Sequence, residues 1–100
     1  MEVLVSFIYH VEYSYINGIT EKSHAVRDEH MAYRESIDDR LVLAGPIVGS
    51  DNLPMGSILV VRADDLAEAQ KIAEGEPFVR EGVSEVVAVR LMRVAKVNSV

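Results

Sequence analysis

Residues 57–91 read SILVVRADDLAEAQKIAEGEPFVREGVSEVVAVRL. Ser57 to Ala63 is a short apolar run rich in β-branched residues, the pattern of a strand. Asp65 followed by Glu68 three residues later is a capping box, and Leu66, Ala69, Ile72 and Ala73 form the apolar stripe of a helix. Gly75 and Pro77 stop that helix, and residues 77–82 have room for one short turn. Beyond it Val83, Glu85, Val87, Val89 and Leu91 alternate with Ser84, Val86, Ala88, Arg90 and Met92, which predicts a strand ending near Arg93.

Upstream, Leu41 to Ile47 is a second apolar run. The residues between it and Ser57 include Gly49, Ser50, Asp51, Asn52, Pro54 and Gly56, which predicts a hairpin with a long, irregular connection. Before that, Val26, His30, Tyr33 and Ile37 recur at helical spacing, with Thr20 as the cap and an end at about Asp39. Val3, Val5, Phe7 and Tyr9 alternate with Glu2, Leu4, Ser6 and Ile8 as a first strand, and Asn17-Gly18 breaks the segment that follows. The order is βαββαβ. Right-handed crossovers in both halves predict an α+β, ferredoxin-like fold, a four-stranded antiparallel sheet with two helices on one face. No linker or repeat interrupts it, so residues 1–100 are read as a single domain.

The expected strands are apolar at both parities: Leu4 and Ile8 against Val5 and Phe7, Ile58 and Val60 against Leu59 and Val61, Val86 and Met92 against Val87 and Leu91. Helices on one side cannot cover both faces, so a second copy is expected over the other, giving a homodimer or higher homo-oligomer. The competing reading is that valines and leucines are tolerated at the surface.

Composition narrows the chemistry. Ten Lys and Arg against sixteen Asp and Glu give a net charge of −6, a poor match to a nucleic-acid partner. No run is long and apolar enough to span a bilayer, and Met1-Glu2-Val3 lacks the basic start of a signal peptide, so a cytoplasmic protein with no membrane partner is expected. With no cysteine there is no thiolate for zinc or for nucleophilic attack. Gly45, Gly49 and Gly56 form no phosphate-binding pattern, and Ser50, Ser57 and Ser84 lie in no nucleophile elbow. His10, His24 and His30 lack the spacing of a metal set, so no cofactor and no metal are expected.

That leaves histidine and carboxylates. His30 lies within an apolar helical stripe, where an imidazole needs hydrogen-bonded nitrogens; it is either a satisfied packing residue or a proton-transfer group. Arg27, one turn earlier, is placed to meet an anionic oxygen or to pair with Asp28 or Glu35. Glu76 stands at a fixed corner between Gly75 and Pro77, where its carboxylate is either aimed inward or solvated.

Arg27-x-x-His30, Leu43-Ala44-Gly45-Pro46, Ile58-Leu59-Val60-Val61 leading to Asp65-Leu66-x-x-Ala69, and Glu76-Pro77-Phe78-Val79-x-x-Gly82-Val83 together resemble the YCII-related (YciI-like) family, from the first strand to about Arg93. The resemblance implies a dimeric α/β barrel of ferredoxin-like protomers, related to muconolactone isomerase-like proteins. It also implies a pocket with a His and Asp pair as the proposed active site. The His corresponds to His30; the Asp position holds Glu76, which keeps the charge and adds a methylene. Some members of the wider family are linked with dehydrochlorination of chlorinated hydroquinones. The expected function is therefore general acid and base chemistry, a lyase or isomerase acting on a small cyclic, phenolic or quinone-type compound, with His30 and Glu76 catalytic and Arg27, Tyr9, Ser57 and Phe78 binding substrate. The alternative is a non-catalytic module that binds a small ligand or presents a dimeric interaction surface.

Overall fold

The computed structural model describes residues 7–18 and 20–99. The elements run β1 (Phe7–Tyr15), α1 (Glu21–Ser36), a 3₁₀ turn (Asp38–Arg40), β2 (Leu41–Val48), β3 (Pro54–Ala63), α2 (Leu66–Glu74), α3 (Pro77–Arg80) and β4 (Ser84–Met92). The strands form one antiparallel sheet in the order β2-β3-β1-β4, with the helices on one face. This is the α+β ferredoxin-like arrangement that the βαββαβ order predicts. The part of the first-strand reading that falls on residues 1–6 lies outside the described residues.

Both long helices start where the caps are. The Thr20 hydroxyl accepts from Ser23 N–H, and the Ser23 hydroxyl accepts from Thr20 N–H at 2.9 Å, a reciprocal box that opens α1. Asp65 caps α2 through Glu68 N–H at 2.8 Å, but Glu68 does not return the bond to Asp65. Its carboxylate accepts from Asp64 N–H at 3.1 Å and pairs with Arg40, so the expected capping box is shifted by one residue on its return half.

β1 runs on to Tyr15, beyond the strand read from the sequence, and three further features differ. The α-helical part of α1 ends at Ser36, and residues 38–40 tighten into the 3₁₀ turn that enters β2. The β2–β3 connection is short because Pro54 to Gly56 belong to β3. Gly49 N–H donates to Leu53 O at 2.9 Å, Asn52 takes a left-handed φ of 65°, and the chain turns within residues 49–53. Gly56 looks like a loop residue in sequence. In the sheet it is required, since a Cβ there would lie 2.1 Å from Tyr13 O.

The third difference is a bulge in β4. Glu12 pairs with Ala88 and Tyr13 with Val86, so Val87 is the extra residue and strict alternation fails there. Val86 thus shares the helix side with Val89, both packing on the core, instead of the opposite side with Met92. The main core lies between the sheet and α2: Tyr9, Val11 and Tyr13 from β1, Leu59, Val61 and Ala63 from β3, and Ala69, Ile72 and Ala73 from α2. A smaller cluster of Val26, Phe78 and Val83, with Tyr15 against it, joins α1 to α3.

The other sheet face is mixed. By register, Leu43, Val60, Gly45 and Ile58 fall on its β2–β3 side, and His10, Glu12, Arg90 and Ala88 on its β1–β4 side. Ile8 and Met92 add apolar side chains on the β1–β4 side and Arg62 a charge on β3, so the face is an apolar patch at Leu43, Val60 and Ile58 beside charged groups, with Arg90 3.9 Å from Glu12.

Candidate active site

α2 ends at a fixed place. Tyr13 of β1 donates its hydroxyl to Ala73 O at 2.9 Å, and Tyr33 of α1 donates to Ile72 O at 2.7 Å. The Tyr33 hydroxyl also presses on Gly75, where a Cβ would come within 2.7 Å of it, so only glycine permits this approach. Two tyrosines thereby pin the last turn of α2, and Glu76 follows one residue beyond Gly75.

Glu76 is 5% exposed and divides its carboxylate between two tasks. Oε2 accepts from Phe78 N–H at 3.1 Å, capping α3, whose first residue Pro77 has no N–H to satisfy. Oε1 lies 2.5 Å from His30 Nδ1, across from α1. A carboxylate can only accept, so in the neutral imidazole the shared proton belongs on Nδ1 and the Nε2 lone pair is left free. The His30 ring lies flat on Phe78, with centroids 4.3 Å apart and planes 5° from parallel, which fixes the ring's orientation.

The buried carboxylate is felt by its neighbours. The hydroxyls of Tyr13, Tyr15 and Tyr33 are all held above the ordinary tyrosine range, first by burial and second by the negative charge of Glu76. Arg34 acts in the opposite direction on Tyr13, and Arg27 with Arg34 on Tyr15.

His30 borders a cleft of about 160 Å³, open to solvent, between α1, the end of β1 and α3. His24, Arg27, His30 and Met31 of α1 line one side, and Tyr15 and Phe78 the other. Ser23 also borders it, with its hydroxyl committed to the helix cap. Of the residues expected at a site, the structure brings His30, Glu76, Phe78 and Arg27 together. It does not bring in Tyr9, which is 4% exposed and points into the main core, or Ser57, which sits on β3 opposite Tyr13 and outside the cleft lining. Period-2 alternation accounts for Tyr9: it shares its side of β1 with Val11 and Tyr13, under the helices. Arg27 makes no ion pair with Asp28 or Glu35; the ion pairs among the described residues are those of His30, Arg40 and Arg90. Tyr15, Ser23 and Met31 are lining residues that sequence reasoning missed, Tyr15 because a first strand read only as far as Tyr9 does not reach it. Among the described residues no three metal-ligating side chains come together, and no helix is long and apolar enough to cross a membrane.

A search of curated proteins finds no match. Among solved structures, the chain is similar to 5-chloro-2-hydroxyhydroquinone dehydrochlorinase (TftG) from Burkholderia phenoliruptrix AC1100, determined in complex with 2,5-dihydroxybenzoquinone. The TM-score is 0.70 with 22% sequence identity, over 87% of this chain and 92% of that one, a likeness that establishes the shared fold. The YCII-related domain profile matches residues 1–93, nearly the whole length. By that match, and with the motifs from Arg27-x-x-His30 to Gly82-Val83 in place, the chain belongs to the YCII-related domain family.

Proposed function

We propose that this protein is an acid–base enzyme in which His30 transfers the proton and Glu76 holds the imidazole in its working tautomer. The observation that carries the reading is the 2.5 Å contact between His30 Nδ1 and a carboxylate that is itself buried and fixed by Phe78 N–H. A carboxylate on Nδ1 orients the ring, and it stabilises the imidazolium that forms when Nε2 takes a proton. The similar solved structure is of a hydroquinone dehydrochlorinase, so the substrate class we favour is a small halogenated hydroquinone. On such a ring Nε2 takes one hydroxyl proton, and the imidazolium returns it to the carbon that bears chlorine. Loss of the second hydroxyl proton with chloride then yields the quinone, a net release of HCl that needs no redox partner.

The test is chloride release from chlorinated hydroquinones by the wild type and by His30→Ala. Loss of a positioned general base should lower turnover by roughly 10² to 10⁴-fold with the fold intact. Full activity in His30→Ala would remove His30 as the base, and a wild type that releases no chloride would leave the cleft as the binding site of a non-catalytic module.

We further propose that two copies associate through the open sheet face, as a dimer or within a larger homo-oligomer. The support is the apolar patch of that face, where Leu43 is 55% exposed beside Val60 and Ile58. Light scattering should give at least twice 11.1 kDa at micromolar concentration, and Leu43→Glu should lower it. A wild type that stays at the mass of one chain rules this assembly out.

A further inference from the structure

We infer that the cleft beside His30 selects a planar oxyanion, an aromatic carboxylate or phenolate, over its neutral isostere, with Arg27 and the Tyr15 hydroxyl as the anchoring pair. This rests on the reading of that cleft as a ligand site and specifies the ligand's charge. The side chains that line the cleft include no carboxylate, although the chain as a whole carries a net charge of −6. Glu76 lies behind the imidazole with both oxygens engaged, by His30 Nδ1 and by Phe78 N–H. The lining instead offers donors. Arg27 has no ion-pair partner among the described residues, and the Tyr15 hydroxyl makes no hydrogen bond there.

The two groups converge from different elements. Tyr15 ends β1 and packs on Phe78, with ring centroids 6.1 Å apart, while Arg27 stands one helical turn before His30 on α1. Both border the same cleft; burial and the Glu76 charge hold the proton on the Tyr15 hydroxyl, and Arg27 with Arg34 acts against them. His24, one turn before Arg27 on the same helix face, adds a further donor at the rim. The free His30 Nε2 is an acceptor in the tautomer set by Glu76, so it meets the ligand's proton while Arg27 and Tyr15 meet its oxygen anion. A guanidinium and a phenol on one oxyanion, beside aromatic walls, make a site for a flat anion, such as the phenolate left when Nε2 has taken a hydroquinone's hydroxyl proton, rather than for a phosphate.

The experiment titrates the full chain with benzoate and with benzamide, followed by backbone amide shifts of residues 15, 27 and 30. One charge-assisted contact sets the expected preference for benzoate at about tenfold, reduced by added salt. Arg27→Gln should abolish the preference. Tyr15→Phe should weaken benzoate severalfold. Equal binding of the two probes, binding of neither, or a preference that survives Arg27→Gln overturns the inference. Neither probe carries a leaving group, so charge selectivity stands or falls on its own. An inactive His30→Ala with no benzoate preference in the wild type would keep the proton-transfer pair and remove the clamp, and the reverse result would keep the clamp alone.

Discussion

The two long helices lie on the same side of one sheet and use their inner faces differently. α2 buries Ala69, Ile72 and Ala73, with Ala69 and Ala73 fully excluded from solvent, and its polar side chains face outward. α1 buries only Ser23 and Val26, and its remaining inward positions include His30 and Tyr33. A purely structural helix fills its stripe with apolar side chains. α1 instead places an imidazole and a phenol there, and both are satisfied by groups at the end of α2. The comparison separates the part of the molecule that supplies stability from the part that supplies chemistry, and it shows that the first positions the second.

The largest effect should come from breaking the stable side. Ala73→Asp puts a charge at a fully buried position in the main core, and should cost more than about 3 kcal/mol or prevent folding outright. Met31→Ala, at a half-exposed position on α1, should stay within about 0.5 kcal/mol. Thermal or urea unfolding of the two variants compares the helices directly, and similar losses in both would erase the distinction.

A smaller effect joins the two sides at high pH. Tyr13, Tyr15 and Tyr33 hold their protons more tightly in the folded chain than in the unfolded one, through burial first and Glu76 second. The stability this contributes is complete below the ordinary tyrosine value of 10.0 and is lost as pH rises above it, because the unfolded chain ionises first. Tyrosinate absorbance should therefore rise together with loss of the circular dichroism signal. Ionisation of these tyrosines with the fold retained would show that the hydroxyl bonds to Ile72 and Ala73 do not hold α2 in place.

The same contrast explains what could be read from the chain alone. α2 announces itself by Asp65, a clean apolar stripe, Gly75 and Pro77, because local capping and periodicity coincide there with the tertiary structure. The corner at Glu76 and the His30 stripe were also legible, since both put a polar group where local pattern predicts none or fixes its backbone. Three features were not. Gly56 belongs to a strand because another backbone crosses it closely, which no local pattern records. The Val87 bulge puts the residues before it out of phase with those after it, so alternation misassigned Val86. Tyr15 reaches the cleft only because β1 runs on to that residue and meets α3 there.

The central claim is that Glu76 sets the His30 tautomer and leaves Nε2 as the base. Long-range ¹H–¹⁵N correlation spectra report it directly, without a substrate, because protonated and unprotonated ring nitrogens resonate in separate regions. At a pH where His30 is neutral, the wild type should show a protonated Nδ1 and a bare Nε2, and Glu76→Gln should shift that balance toward the other tautomer. A wild-type spectrum with the proton on Nε2 would contradict the account, because the nitrogen facing the cleft would then be a donor with no lone pair to accept a proton.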